Sequence, residues 1–345
     1  MAYIVETGIS KSLGHFMKAL GSCCLVLHDA YATAETLTGV CEGIGMPCSA
    51  LLTTAAACSK AEARLLASAI AESGADVVVA YGASKVLDLA RAALKLLQPN
   101  RPSLVLVPTI VSSNACVGGL AVMYGDDGRV NGFWALDRAP ELVAIDLDLV
   151  LGADPRFLSA AMGDQIASSF EAIHAAAGLP NSAGVDAHAT VLDTIRSYGA
   201  SALAAVRARE MTHELECVVR CVTFATAEQQ ASSAVFMAHM LGEVLSSEPE
   251  LSNRMHGEVV AACVPAELVV TGDVEAASAW IGVLRSLGLP ASLAELGLAD
   301  ISRSRLEAFC RAGAGGLMTG EAARRWSAGE IAEFFLIAES LAQQE

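Results

Sequence analysis

The sequence predicts an α/β domain on a mostly parallel, doubly wound sheet, followed by an all-helical domain. Three observations carry this prediction. Short apolar runs bounded by turn residues alternate with helical spacing through residue 154. The texture then changes after Pro155 to long Ala/Leu/Glu stretches with helical periodicity. The length, 345 residues, suits two domains. The division is therefore placed at 1–154 and 155–345, with a ligand cleft expected between the halves.

The elements follow in order. Ser22–His28 reads as a strand, and a helix then runs to about Gly43. Cys48–Thr53 is a second strand. Ser59–Glu72 has helical spacing, with Ser59 as a candidate N-cap and Gly74 just past the end. Strand Asp76–Ala80 precedes helix Ser84–Leu97, which Pro99 stops. Ser103–Val107 is a further strand, and Leu142–Ile145 is a β-prone run after it; Asp76–Tyr81 and Ser103–Val107 are apolar enough to read as fully buried. Beyond Pro155, helices are expected over Arg156–Ala177, Val191–Arg209, Thr212–Leu245, Gly257–Glu267, Val274–Leu287, Arg303–Ala314 and Ala328–Gln343.

Composition excludes several classes. Hydrophobic residues are 54% and charged residues 17%, which rules out a disordered chain. With 22 Lys+Arg against 38 Asp+Glu the net charge is −16, unsuited to nucleic acid or anionic lipid. No apolar run is long enough to span a bilayer. Met1-Ala2-Tyr3-Ile4-Val5-Glu6 lacks the basic and apolar regions of a signal peptide, so a cytoplasmic protein is expected. Ten cysteines without a C-x-x-C read as small buried hydrophobes in a reducing compartment. The apolar excess points to a homo-oligomer.

Two features suggest a dinucleotide. Gly82-Ala83-Ser84 lies between an apolar strand and a helix. It reads either as a tight turn or as a place where backbone and a helix N-terminus meet a diphosphate. Asp29 closes the first strand, as a turn aspartate or as an acceptor for ribose hydroxyls. His28 beside it reads as a packed histidine. Three residues suggest a metal. Asp164 interrupts a run of small and apolar residues, His239 lies in an apolar helical run, and His256 opens another helix. Two imidazoles and a carboxylate suit zinc with a position open to substrate, although each residue also has an ordinary core or capping reading. Spacing alone does not bring the three together.

Read as a set, these segments resemble the glycerol dehydrogenase branch of the iron/zinc-dependent polyol and alcohol dehydrogenase family. Val107-Pro108-Thr109-Ile110-Val111-Ser112-Ser113-Asn114-Ala115 is similar to the family's V-P-T-I-A-S-T-D-A. Ala121-Val122-Met123-Tyr124 is similar to S-V-I-Y, and Met162-Gly163-Asp164 to M-G-D. The helix carrying His239 resembles A-A-A-H. His256-Gly257-Glu258-Val259-Val260 resembles H-G-E-K-V, and the segment from Gly288 to Gly297 resembles G-L-P-T-T-L-A-D-I-G.

The resemblance implies an NAD-dependent dehydrogenase acting on a small alcohol, polyol or 2-hydroxy acid and its carbonyl compound. Asp164, His239 and His256 would hold the metal. Gly82, Ala83 and Ser84 would lie on the pyrophosphate, Asp29 on the ribose, Thr109 and Ser112 near the nucleotide, and Tyr124 in the cofactor site. The iron branch carries a histidine four residues after the aspartate. Ser168 stands there, so Zn2+ is expected over Fe2+. Three departures mark the site: Ala83-Ser84 for two glycines, Asn114 for aspartate, and Gly242 for a second histidine. Asn114 is placed at the substrate on this ground. A nucleotide-binding homologue with weak or no dehydrogenase activity, or another chemistry on the same scaffold, is the alternative.

Overall fold

The computed structural model describes residues 2–54, 57–176, 183–224, 236–316 and 322–345. It divides into one unit of Met1–Ala153 with Arg209–Met211, and a second of Asp154–Ala208 with Thr212–Glu345.

The first unit contains strands β1 (Ala2–Glu6), β2 (Cys24–Asp29), β3 (Cys48–Thr54), β4 (Val77–Gly82), β5 (Ser103–Pro108), β6 (Leu120–Tyr124), β7 (Val130–Ala135) and β8 (Leu142–Asp146). Its helices are α1 (Gly14–Met17), α2 (Ala34–Ile44), α3 (Lys60–Ser73), α4 (Ser84–Leu96) and α5 (Leu147–Gly152). Six strands form a parallel sheet in the order β1-β8-β5-β4-β2-β3. β2 and β4 are neighbours, but the chain leaves β2 toward β3 and leaves β4 toward β5. Their C-terminal ends therefore form the switch point at which open α/β sheets bind ligands. β4 is buried throughout and β5 almost so, which explains their unbroken apolar runs.

The helix signals hold in detail. Ser59 accepts the Glu62 N–H at 3.2 Å, and Gly74 closes α3 at φ 68°. β2 starts two residues later than Ser22, because the Asp76 carboxylate takes the N–H groups of Ser22 and Cys23 out of the ladder. β1 and the β6–β7 hairpin are additions to the expected elements. The Gly125-Asp126-Asp127-Gly128 turn, with Gly128 at φ 77°, joins the hairpin.

Among its described residues the second unit is helical: α6 (Pro155–Ala176), α7 (Ala183–Ala208), α8 (His213–Phe224), α9 (Ala238–Leu245), α10 (His256–Val270), α11 (Val274–Ser286), α12 (Arg303–Ala314), α13 (Ala322–Arg325) and α14 (Ala328–Ala342). α10 is buried from Gly257 to Val270 and packs against α6, α9, α11 and α14. A helix apolar on all sides belongs in the middle of such a bundle. The expected single helix over Thr212–Leu245 is corrected. Met237 has non-helical φ −134°, and α9 starts anew after it. The segment 225–235 lies outside the described residues. No helix among the described residues is long and apolar enough to cross a membrane.

Candidate active site

In the first unit, the C-terminal ends of β2, β4 and β5 bring most of the expected nucleotide residues near one another. Asp29 follows His28, which pairs in register with Tyr81, and Gly82 pairs with Pro108. The Thr109 N–H donates to the Gly82 carbonyl at 3.1 Å. A Cβ at Gly82 would stand 2.8 Å from the Val86 side chain, so the turn into α4 needs glycine there. Ala83 is the extended N-cap of α4 and supplies no side-chain acceptor. The first-turn N–H groups of this helix therefore have no side-chain cap from the N-cap residue. The Ser84 hydroxyl turns sideways to Ser113 Oγ at 3.3 Å.

The segment between β5 and β6 carries Thr109, Ser112 and Asn114, all half-buried. Arg91, buried on α4, holds it by donating to the carbonyls of Ala115, Gly118 and Leu120. Asp88 accepts the Val122 N–H at 3.1 Å. The Asn114 carbonyl accepts the N–H groups of Val117 and Gly118, so this residue opens a turn. Lys85 Nζ lies 5.1 Å from the Tyr124 ring centroid. Asp29 Oδ1 accepts the N–H groups of Tyr31 and Ala32, which makes it a turn aspartate. That use of one oxygen is compatible with a ribose on the other. His28 is a satisfied core residue: its Nδ1 donates to the Asp29 carbonyl, and its Nε2 pairs with Thr53 Oγ1.

In the second unit, donor atoms of Asp164, His239 and His256 all lie within 4.8 Å of one another. Asp164 Oδ1 is 3.2 Å from His239 Nε2 and 3.7 Å from His256 Nε2. Donors about 2.0–2.1 Å from a tetrahedral zinc stand roughly 3.3 Å apart, so the spacing fits. Asp164 is 6% exposed and His239 8%, while the His256 side chain is 49% exposed and leaves the cluster an open side.

Helix packing explains how residues so distant in sequence converge. Asp164 lies on α6 and His256 opens α10, and each has a glycine as neighbour. A Cβ at Gly257 would fall 1.8 Å from the Ala160 carbonyl oxygen, and one at Gly163 would fall 2.4 Å from the Gly257 carbonyl oxygen. Only backbone against backbone lets these helices approach so closely. Arg156 locks the register with a two-pronged ion pair to Glu258, at 2.6 and 2.7 Å. Gly242 faces α10 instead of adding a donor, and a Cβ there would meet Val260 at 2.7 Å.

Sequence reasoning missed Glu171. It lies seven residues after Asp164 on α6, two turns along the same face, and is buried. Its Oε1 accepts the N–H groups of Phe236 and His239 at 3.1 and 2.9 Å, which caps the start of α9. Its Oε2 meets His239 Nδ1 at 2.5 Å. The i, i+7 spacing of two carboxylates in a small, apolar helix was the available signal.

The electrostatics favour a cation. Burial raises the Asp164 carboxyl, but the His239 hydrogen bond and the two nearby rings outweigh it and hold the group below its ordinary value. Burial also opposes charge on His239, yet Glu171 and Asp164 lift that ring to about 10. Two carboxylates around one imidazole call for positive charge, which a proton on the ring or a cation at Nε2 supplies. The donor set, one carboxylate and two imidazoles, fits a divalent transition metal.

Comparison with known proteins bears on the family and the fold. Residues 1–147 match the family model described as iron-containing alcohol dehydrogenase. The chain is 34% identical over 255 residues to a glycerol dehydrogenase of Thermotoga maritima, covering 71% of this chain and 69% of the relative. It is 27% identical over 322 residues to a glycolaldehyde reductase of Halobacterium salinarum, covering 90% and 87%. A probable glycerol dehydrogenase from Sinorhizobium meliloti has the same fold, with TM-score 0.87 at 24% identity over 99% of this chain and 97% of that one.

Proposed function

This chain belongs to the glycerol dehydrogenase branch of the iron-containing alcohol dehydrogenase family, and on that premise we propose that it uses NAD and zinc to interconvert a small alcohol, polyol or 2-hydroxy acid with its carbonyl compound. As a member it is a metal-dependent alcohol or polyol oxidoreductase. The observation that carries the reading is the convergence of Asp164, His239 and His256. These three would hold the metal, leaving further positions to substrate. Ser168 offers no imidazole one turn after Asp164, which is why zinc is assigned over iron. The cation supplies Lewis acidity, which brings a substrate hydroxyl's pKa toward neutrality, and NAD supplies the hydride acceptor.

The chain's own residues do the rest. The α4 N-terminus and Gly82-Ala83-Ser84 receive the diphosphate, and Thr109, Ser112 and Tyr124 line the nucleotide. Asp29 accepts the ribose hydroxyls and repels a 2′-phosphate, and Ala30-Tyr31-Ala32 offers no cation to offset it. NAD should therefore bind at least ~10-fold better than NADP, a difference of about 1.4 kcal/mol. Titration of both cofactors checks this. Equal affinities, or an Asp29→Ala variant with the preference intact, would contradict it.

Asn114 would meet the substrate. Its amide donates to a carbonyl or carboxylate oxygen, where an aspartate would repel a carboxylate. Glycerol should thus be a poor substrate beside less hydroxylated or carboxylate-bearing ones, and Asn114→Asp should move the preference toward polyols. Initial rates at 340 nm with NAD and a panel of diols, polyols and hydroxy acids, glycolaldehyde being run in reverse with NADH, test both statements. No turnover anywhere on the panel would refute the function, and an unaltered ranking in Asn114→Asp would remove that residue from the substrate.

A further inference from the structure

We infer that Glu171 is the positioning residue of the metal centre: it fixes the tautomer and angle of His239, so that Nε2 presents its lone pair to the cation. This rests on the metal assignment above and goes beyond its three donors. A carboxylate only accepts, so at 2.5 Å from Glu171 Oε2 the His239 Nδ1 must carry the proton. The other nitrogen, Nε2, then faces Asp164 at 3.2 Å without one when the ring is neutral. Glu171 itself cannot swing away, because Oε1 is held by the N–H groups of Phe236 and His239. The same side chain thus anchors the first turn of α9 and aims the ring that this turn carries. Carboxylate-backed histidines are a recurrent way of orienting metal ligands.

Glu171→Gln separates aiming from capping. The amide oxygen can still accept the two backbone N–H groups, which preserves the cap. Its NH2 then faces Nδ1 and must donate to it, which moves the ring proton to Nε2 and blocks the donor atom. Turning the amide over sets its NH2 against two N–H groups instead. Zinc affinity, read by competition with a chromophoric chelator, should fall about 10–100-fold. The melting temperature of chelator-treated protein and the affinity for NAD should stay close to the parent's. A folded variant with parental zinc affinity would overturn the inference. Should the parent itself bind neither zinc nor iron, the metal assignment fails instead, and the two failures are distinct. A second measurement does not depend on the variant folding. In zinc-loaded parent protein with 15N-labelled histidine, the His239 ring, assigned by its loss in His239→Ala, should show a protonated Nδ1 and a ligating Nε2. Ligation through Nδ1 would equally overturn the inference.

Discussion

Replacing His239 with alanine should abolish turnover on every alcohol and carbonyl compound while dinucleotide affinity stays near the parent's. The ring is buried between Asp164 and Glu171, and its loss removes a donor and leaves two carboxylates facing each other without the group that joined them. Metal catalysis of this kind supplies several kcal/mol, so a fall of about a thousandfold or more is expected. Asp164→Ala should behave alike. The residues proposed to bind the nucleotide all lie within Met1–Ala153, apart in sequence from the cluster, which is why binding should survive. Steady-state rates and NAD titration on the same preparations check both halves. Robust turnover by His239→Ala would remove the metal mechanism.

The second large effect comes from Gly257→Ala. The added Cβ would run into the backbone of Ala160, at 1.8 Å from its carbonyl oxygen, 2.6 Å from its carbon and 3.0 Å from its Cα. No side chain can yield there, so α6 and α10 must move apart and carry Asp164 and His256 with them. Overpacking of this sort costs about 1–3 kcal/mol or more. For a unit of this size that lowers the melting temperature by roughly 2–12 °C, and zinc affinity should fall as well. Gly282→Ala on α11 is the control. Its position is exposed, its Cβ would meet nothing within 4 Å, and alanine should gain about 0.5–1 kcal/mol. Calorimetry of the pair decides the matter. Equal melting temperatures would show that the close approach of the two helices is not what holds the site.

The fold was readable because its signals are local. Ser59 and Gly74 bracket α3 with cap chemistry that depends on a few neighbouring residues, and β4 is apolar because both its faces are covered. β1 escaped notice as a short edge strand with mostly exposed side chains. The start of α9 escaped because the groups that define it are distant. Glu171 reaches Phe236 and His239 across 65 and 68 positions, and no helical period in that segment records such a partner. The cluster follows the same logic. Asp164 and His239 are 75 positions apart, and each looks like an ordinary core or cap residue in its own segment. Family resemblance pointed to the three together. The physical reason for their meeting, glycine beside ligand on both α6 and α10, emerges only when the helices are packed.

The most direct test of the account is metal analysis of protein purified without chelator, joined to turnover at 340 nm after chelation and add-back of single metals. One zinc per chain, its loss in His256→Ala, and activity restored by zinc are the predicted results. Iron without zinc, with activity restored by iron alone, would contradict the zinc assignment. Undiminished NAD-linked turnover by protein shown to hold no metal would contradict the central claim.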